Sequence, residues 1–420
     1  MTDQLAGIID ESLIESAAES VATRIDELAR YSETADGLKR TFCSDAMKLA
    51  HGELESWMRA AGLSVSLDAV GNLIGASSDQ SDRPVFMIGS HLDTVVNAGK
   101  YDGMLGVLLG VAVAEVLTQA DVIGKLPFDL HVVGFSEEEG VRYQLPFIGS
   151  MGIAGCLDVD LLEKTDRRGI ELGTALKEFG CNGKVPSSSY AERNIIAFLE
   201  AHIEQAVVLE EANAPVGVVS AIAGQSRASI AIHGVAGHAG TVPHDRRKDA
   251  LAASAEIVLA VEKIGRQTEG LFATVGNVVA EPGLSNVICG RAELRFDLRH
   301  ENDVVRESAF KEIQKALEQI ANARSMAVEL LDVRHSVAVP MDTRLNTALA
   351  SAIATVGCQP RSMFSGAGHD AMVMAKIAPT AMLFVRCKNG ISHHPDEFVS
   401  FDDIRVSLQV MVNAVANFGS

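Results

Sequence analysis

The 420-residue chain lacks several features that would assign it to other protein classes. Its six cysteines are scattered and form no CxxC pair, which disfavours a cysteine metal site and favours reduced thiols. No apolar run reaches the roughly 18 residues of a membrane span. Residues 1–20 are acidic and amphipathic, without the basic start and apolar core of a signal peptide. We therefore expect a cytoplasmic protein.

Basic residues are also scarce, since 36 Lys and Arg stand against 55 Asp and Glu, for a net charge of -19. Nucleic acids and anionic membranes are bound through basic patches, so neither is an expected partner. The hydrophobic content of 47% and charged content of 22% are ordinary for a globular protein. At this length the chain can form two or three domains with a large core.

The most informative stretch covers residues 85–109. An apolar run over 85–89 predicts a strand, which ends in Ser90-His91-Leu92-Asp93, and Asp102-Gly103 precedes a predicted helix. Ligands bind at the carboxyl edge of open α/β sheets, where an imidazole and two carboxylates can hold a metal ion. A single histidine there is more often a hydrogen-bonded loop residue, so the assignment depends on the rest of the chain.

Two further predicted strands are followed by residues of the same kind. The apolar run 129–135 leads into Glu137-Glu138-Glu139, and the run 381–385 is followed by His393-His394. Three adjacent carboxylates raise one another's pKa or require a cation. A solvated acidic loop is the alternative, but the position after a buried strand favours a metal site.

A third histidine lies in the segment 195–212, which we interpret as the end of a strand that leads into a helix. On that helix His202 and Gln205 would share a face, and Glu200 and Glu204 are expected to be solvated. Three imidazoles and several carboxylates suit zinc or manganese. A two-metal hydrolytic site needs one bridging carboxylate and another carboxylate that remains available as a base.

The middle of the chain has a different organisation. Residues 217–333 follow the order strand–helix–strand–strand–helix–strand of a ferredoxin-like α/β sandwich. We expect this domain to be inserted between two parts of a catalytic domain, residues 1–216 and 334–420. The predicted fold is α/β, with a central mixed sheet and flanking helices that carry the two-metal site.

Nine motifs of the chain resemble those of a known superfamily: GSHLDT, YDGMLG, EEEGVR, HIEQ, GHAGTVP, SNVI, DLR, SGAGHDAM and GISHHPDE. From about residue 37 to the end, the chain resembles the aminoacylase/carboxypeptidase superfamily of dinuclear-metal amidohydrolases. Within it, the chain is similar to the allantoate amidohydrolase and N-carbamoyl-L-amino-acid hydrolase branch. The peptidases of the superfamily have a carboxylate at the position of His202, whereas the ureido-cleaving branch has histidine.

The resemblance implies two divalent ions, Zn²⁺ or Mn²⁺, with five protein ligands: His91 and His202 on one ion, Glu139 and His393 on the other, and Asp102 bridging both. It implies that Glu138 is the general base and that Asp93 orients His91. Glu137 has no assigned role. His369 is expected near the site without a ligand role, and His394 is expected to be a bystander.

The resemblance also implies substrate contacts, from Gln205, Asn286 and Arg299. The arginine and asparagine would bind a substrate carboxylate, a task for which the planar guanidinium is suited. His238 would polarise the scissile carbonyl from the inserted domain, which would act as a lid and as the contact of a homodimer. From the residues alone, Arg299 is more readily a surface ion-pair residue and Asn286 a turn residue.

The implied reaction is hydrolysis of a ureido C–N bond in a small carboxylate-bearing substrate. Allantoate is the first candidate, and it would yield ureidoglycine, ammonia and carbon dioxide in purine breakdown. The alternatives are an N-carbamoyl-L-amino-acid hydrolase or a β-ureidopropionase, while His202 argues against an aminoacylase or dipeptidase. A catalytically silent binding protein would have lost a ligand or the base, and a structural dimerising protein would not need the SGAGHDA and GISHHPDE loops.

Overall fold

The computed structural model describes residues 9–78, 82–181, 185, 190 and 192–418, which form two compact units. Unit 1 comprises the described residues up to Ser220, together with Met341–Met363 and the residues from His369 onward. Unit 2 comprises Ala221–Pro340 and Phe364–Gly368. The first eight residues of the stretch considered for a signal peptide lie outside the described residues.

The strands are β1 (Ser64–Leu67), β2 (Leu73–Ala76), β3 (Val85–His91), β4 (Asp129–Phe135), β5 (Ile195–Ile203), β6 (Val216–Ile222), β7 (Gly224–His233), β8 (Gly237–His238), β9 (Phe272–Glu281), β10 (Val287–Ile288), β11 (Arg291–His300), β12 (Ala327–Ser336), β13 (Val339–Pro340), β14 (Ser362–Ser365) and β15 (Thr380–Val385). The α-helices are α1 (Glu11–Leu28), α2 (Asp45–Ala60), α3 (Met104–Gln119), α4 (Ile148–Ile153), α5 (Leu172–Phe179), α6 (Val208–Glu211), α7 (Ala250–Gln267), α8 (Asp303–Ala323), α9 (Thr343–Thr355), α10 (Ala371–Met374) and α11 (Phe401–Ala416).

The sheet of unit 1 has the order β1-β2-β4-β3-β5-β15-β6. Its four central strands, β4, β3, β5 and β15, run parallel, while β2 and β6 pair with them antiparallel. Every residue of β3 and β4 is buried, as expected for parallel strands covered on both faces. The carboxyl ends of the four central strands therefore meet at one edge, and the loops that follow them lie together there.

Helices cover this sheet, and α3 lies closest to it. The α3 helix packs on β3, β4 and β5, and α1 and α11 pack against α3. Gly106 allows the close approach, because a Cβ at this position would overlap the carbonyl oxygen of Ala201 on β5. Side-chain caps begin two other helices: Ser44 accepts a hydrogen bond from Met47 N in α2, and Ser400 accepts one from Asp403 N in α11.

The sheet of unit 2 has the order β12-β7-β11-β9, with all neighbours antiparallel. With α7 and α8 packed on it, this is the strand order of a ferredoxin-like sandwich. Alternate residues such as Ile230, Leu294 and Phe296 face the helices and form a separate hydrophobic core. The residues between them, including Arg227, Asp297 and Arg299, project from the opposite face.

The predicted α/β fold with a central mixed sheet and flanking helices is confirmed. The predicted helix at His202 is wrong, because residues 195–203 form β5, a central strand that is buried on both faces. Such a strand reads as a continuous apolar run, which periodicity alone does not distinguish from a buried helix. In the described part of the chain, no helix combines the length and apolarity needed to cross a membrane.

Candidate active site

The loops at the carboxyl edge of the unit 1 sheet bring together six side chains that can bind a metal ion. Their ligand atoms form three overlapping groups, each lying within 4.8 Å: His91, Asp102 and His202; His91, Glu138 and Glu139; and Asp102, Glu139 and His393. His91 and His202 lie at the carboxyl ends of β3 and β5, and the other four residues follow β3, β4 and β15, although the six span about three hundred positions in sequence. All six belong to the set that the sequence predicts.

Asp102 lies at the centre of these groups, and its two carboxylate oxygens face different partners. Oδ1 is 3.0 Å from Nε2 of His202 and 3.7 Å from Nε2 of His91. Oδ2 is 3.1 Å from Nε2 of His393, which is 3.4 Å from Oε1 of Glu139. The carboxylate therefore lies between two groups of candidate ligands, with two residues in each group. This is the arrangement that a carboxylate bridging two ions requires.

The imidazoles at Oδ1 are oriented by main-chain carbonyls. Nδ1 of His91 lies 3.0 Å from the carbonyl oxygen of Asp93, and Nδ1 of His202 lies 2.9 Å from that of Ile203. Each Nδ1–H can donate to its carbonyl, so Nε2, which donates to Asp102 when it is protonated, is the nitrogen that would give up its proton to bind a metal ion. Gly103, with φ +72°, contributes as well, because a Cβ there would meet the His91 ring.

The carboxylate of Asp93 lies near His91 and also binds the main chain of the loop that carries Glu138 and Glu139. Its oxygens accept hydrogen bonds from the main-chain N–H groups of Glu138 (2.9 Å) and Glu139 (3.0 Å). The nearest acceptor of His91 Nδ1 is the Asp93 carbonyl, and the carboxylate lies 3.5 Å away. Asp93 thus holds the loop of the predicted base as well as the predicted ligand imidazole.

The electrostatics of the site favour a cation. Burial works against ionisation of Asp102, yet its hydrogen bonds with His202, His393 and His91 hold its pKa well below the ordinary value. Burial raises the pKa of Glu138 well above the ordinary range, and nearby carboxylates add to this shift. Burial also raises the pKa of Glu139 to about 7, an effect that His91 opposes and Asp102 reinforces. A bound cation would stabilise the ionised form of each carboxylate.

The residues fit divalent metal ions by their chemistry. Three imidazole nitrogens and carboxylate oxygens are the donors that zinc and manganese share, and no cysteine is among them. Four of these side chains lie around the Asp102 carboxylate in a largely buried site, where charges left without a counter-ion are costly. The set therefore supports use of divalent metal.

Several buried acidic residues near the site were not identified from the sequence. Glu200 and Glu204, expected to be solvated, are both buried, and Glu137 is buried too. Glu200 accepts hydrogen bonds from Ser90 Oγ (3.0 Å) and Ala371 N (2.9 Å), which tie β5 to the residues beside His91 and to the start of α10. Its position two residues before His202 on one face of a strand was the available signal, once β5 is recognised as a strand.

Two other predicted residues of unit 1 lie beside the ligands. The Gln205 side-chain amide donates to Ser392 Oγ at 3.0 Å and lies 3.4 Å from Asp102 Oδ2. The ring of His369 is buried, with its centroid 4.4 Å from that of His202, so it packs near the site as expected. His394 is exposed and pairs with Asp396, as expected of a bystander.

The remaining predicted residues belong to unit 2. His238 and Asn286 are neighbours, since β8 pairs with β10 and Ala239 N donates to the Asn286 carbonyl at 3.0 Å. Nδ1 of His238 accepts a hydrogen bond from Gly240 N at 3.0 Å, so a neutral ring carries its proton on the exposed Nε2. Arg299 donates from Nε and Nη2 to Asp297, and from Nη1 to the Gly366 carbonyl at 2.6 Å.

The raised pKa of Glu139 predicts how metal binding depends on pH. In the metal-free protein, the stability from this shift is fully present below the ordinary value of 4.5 and is lost as pH rises through about 7. A metal ion requires the ionised carboxylate, so binding below pH 7 releases a proton and affinity rises about tenfold per pH unit for that proton. We expect the rise in Tm produced by Zn²⁺ or Mn²⁺ to be larger at pH 7.5 than at pH 5.5.

Thermal unfolding with and without metal at both pH values measures this difference. Glu139→Gln is the control, and the pH dependence of the metal-induced shift should be weaker in that variant. An equal shift at both pH values in the unsubstituted protein would contradict the assignment of Glu139 as a ligand.

Comparison with known proteins agrees with this geometry. The profile of peptidase family M20/M25/M40 matches residues 87–417. The allantoate deiminase of Arabidopsis thaliana is 37% identical to this chain, and the similarity covers 92% of this chain and 79% of that protein. The N-carbamoyl-L-amino acid amidohydrolase of Geobacillus stearothermophilus is 37% identical over 385 residues, covering 91% of this chain and 94% of that protein.

A solved structure shows the same similarity in three dimensions. The amidase of the hydantoinase/carbamoylase family from Burkholderia multivorans superimposes with a TM-score of 0.89 at 30% identity, covering 95% of this chain and 97% of that chain. The superfamily resemblance inferred from the motifs is confirmed. The chain belongs to peptidase family M20/M25/M40 and is a hydrolytic enzyme that acts on amide bonds.

Proposed function

We propose that this enzyme hydrolyses the ureido C–N bond of a small carboxylate-bearing substrate with two divalent ions, Zn²⁺ or Mn²⁺. Allantoate is the first candidate, and its cleavage would give ureidoglycine, ammonia and carbon dioxide. Similar proteins are named allantoate deiminase and N-carbamoyl-L-amino acid amidohydrolase. The compounds in both names carry a ureido group next to a carboxylate. An N-carbamoyl-L-amino acid or N-carbamoyl-β-alanine is the alternative substrate.

The observation that carries the proposal is the division of ligands around Asp102. Two imidazoles face Oδ1, while His393 and the neighbouring Glu139 face the Oδ2 side. In the proposal, His91 and His202 hold one ion, Glu139 and His393 hold the other, and Asp102 bridges them. When bound, the ions would polarise the ureido carbonyl and lower the pKa of the attacking water.

In the proposal, Glu138 is not a metal ligand and carries out the proton transfers. Its main-chain N–H is held by Asp93, and its side chain lies among the ligand atoms of His91 and Glu139. The raised pKa of this buried carboxylate suits a group that must first accept and later release a proton. Glu138 would take a proton from the attacking water and return it to the leaving nitrogen.

The proposal also assigns the residues that would contact the substrate. Gln205 would contact the substrate beside Asp102, and Asn286 and Arg299 would bind its carboxylate. His238 would donate its Nε2–H to the scissile carbonyl, a role that its hydrogen bond from Gly240 N supports. Arg299 keeps its ion pair with Asp297 on the open face of the unit 2 sheet, which fixes the direction of its guanidinium.

Two further properties complete the proposal. A homodimer would form through unit 2, where β9 is an edge strand with exposed Phe272, Val278 and Val279. An edge strand of ten residues with exposed apolar side chains is suited to pairing with another chain. A cytoplasmic location is supported by the six cysteines, all of which are free thiols.

A substrate panel tests the proposed reaction. The metal-loaded enzyme should release ammonia from allantoate at least about tenfold faster, in kcat/KM, than from N-carbamoyl-L-amino acids or N-carbamoyl-β-alanine. An N-acetyl amino acid, which lacks the ureido nitrogen, serves as the control and should be a poor substrate. A chelator should abolish turnover, and Zn²⁺ or Mn²⁺ should restore it. Turnover by verified metal-free protein would refute the metal mechanism.

Substitution of the base tests the proton steps separately from metal binding. Glu138→Gln should lower kcat by about a hundred- to ten-thousandfold, because a general base contributes roughly 10²–10⁴-fold and the amide accepts no proton. Metal content by mass spectrometry should remain that of the unsubstituted enzyme, since Glu138 is not assigned as a ligand. Near-normal turnover of Glu138→Gln would show that another group is the base.

Arg299 and Arg227 both donate hydrogen bonds to Asp297, and comparison of their alanine variants tests carboxylate recognition. Arg299→Ala should raise KM for a carboxylate substrate by about ten- to a hundredfold, with a smaller change in kcat, since a charge-assisted hydrogen bond contributes roughly 1.5–3 kcal/mol. Arg227, which also donates to Asp297, provides the matched variant Arg227→Ala. Equal effects of the two substitutions would assign the loss to Asp297 rather than to substrate binding.

A further inference from the structure

We propose that Glu397 is a positioning residue that holds the bridging carboxylate of Asp102 between the two metal sites. The inference rests on the proposed function, because the bridging role of Asp102 belongs to it. Glu397 follows His393 in the GISHHPDE loop and is 3% exposed. Its role comes from contacts with a loop about three hundred residues earlier in the chain.

One oxygen of Glu397 binds the main chain of the Asp102 loop. Oε1 accepts hydrogen bonds from Tyr101 N at 2.7 Å and from Asp102 N at 3.0 Å. These two N–H groups precede α3 and need an acceptor in a buried environment. Because the acceptor is a carboxylate, both bonds are charge-assisted and strong. The main-chain position from which the Asp102 side chain extends is thereby fixed.

The other oxygen restrains the Asp102 side chain through one hydroxyl. Oε2 of Glu397 lies 3.3 Å from Ser392 Oγ, which lies 3.2 Å from Asp102 Oδ2. Ser392 also accepts a hydrogen bond from the Gln205 amide. The hydroxyl therefore contacts the same Asp102 oxygen that faces His393. Glu397 lies in the loop of His393 and binds the main chain of the Asp102 loop, so it links the positions of His393 and Asp102.

The chain leaves room for this carboxylate at Gly99. A Cβ at position 99 would overlap the side chain of Glu397, so the glycine provides the space in which Glu397 approaches the Asp102 loop. Gly99 does not have a positive φ, so an alanine there would be unstrained apart from this overlap. A substitution at Gly99 can therefore displace Glu397 without changing its chemistry.

A buried glutamate that served only to stabilise the fold would not affect the metal ions specifically. Glu204 provides this comparison, since it is also buried and accepts two main-chain hydrogen bonds, from Val208 N and Leu209 N. The N–H groups that donate to Glu204 belong to the start of α6 rather than to a loop that carries Asp102 or His393. Loss of Glu397, unlike loss of Glu204, should free Asp102 to bind one ion instead of two.

The test measures metal binding rather than activity. The full-length unsubstituted chain, Glu397→Ala, Glu397→Gln, Gly99→Ala and Glu204→Gln are loaded with Co²⁺ and dialysed at one free metal concentration. Ions per chain are counted by mass spectrometry, and the magnetic coupling between two Co²⁺ ions that share a carboxylate is followed by EPR. Circular dichroism establishes which variants are folded.

We expect two coupled ions in the unsubstituted chain, and loss of the second ion or of the coupling in Glu397→Ala and Gly99→Ala. Glu397→Gln should retain both ions, because the amide oxygen still accepts the bonds from Tyr101 N and Asp102 N. The Ser392 hydroxyl can then accept from the amide and donate its proton to Asp102. Glu204→Gln should retain two coupled ions. If Glu397→Ala does not fold, Gly99→Ala and Glu397→Gln carry the test.

The inference is overturned if folded Glu397→Ala or Gly99→Ala keeps two coupled ions, or if Glu204→Gln loses them to the same degree. Failure of the proposed function has a different signature. It would appear as an unsubstituted enzyme that binds two ions but cleaves no substrate of the ureido panel, or that binds one ion without coupling.

Discussion

The contact between the Asp102 carboxylate and three imidazoles is the interaction on which the rest of the site depends. Asp102 is buried, and its ionised form is maintained by the imidazoles around it. Each of its oxygens faces a different group of candidate ligands, so this single side chain lies between the two groups. This geometry requires that Asp102 be held in one orientation, and the surrounding hydrogen bonds have that effect.

The fold gathers these residues because the central strands of unit 1 are parallel. Four strands that end at one edge bring together segments that are far apart in the chain, and the end of each strand or the loop after it contributes one or more candidate ligands. The side chain of His393 remains partly exposed, whereas His91, Asp102 and His202 lie buried beside the covered strands. In such an environment, charge interactions are stronger than at the surface.

Three carboxylates that are not assigned as metal ligands stabilise these loops by accepting hydrogen bonds from main-chain N–H groups. Asp93 accepts from Glu138 N and Glu139 N, Glu200 from Ala371 N, and Glu397 from Tyr101 N and Asp102 N. A buried carboxylate with such partners avoids much of the cost of desolvation and fixes a loop that would otherwise have free N–H groups. The acidic character of the site therefore serves loop structure as well as metal binding.

Local sequence determined the elements and the chemistry of the ligands. Apolar runs indicated β3 and β4, and the order of predicted strands and helices indicated the ferredoxin-like fold of unit 2, because these features depend on neighbouring residues. The same local reasoning failed at residues 195–203, where a doubly buried strand has no alternation to distinguish it from a helix.

The motifs predicted which histidines and carboxylates would meet, whereas the tertiary structure decided how they are held. Glu200 and Glu397 resembled ordinary surface glutamates in sequence. Their partners lie 110 to 296 residues away, so that only the folded sheet brings them together. Residue types and local order were thus determined by the sequence, while burial and long-range hydrogen bonds were decided by the fold, because both depend on groups that are distant along the chain.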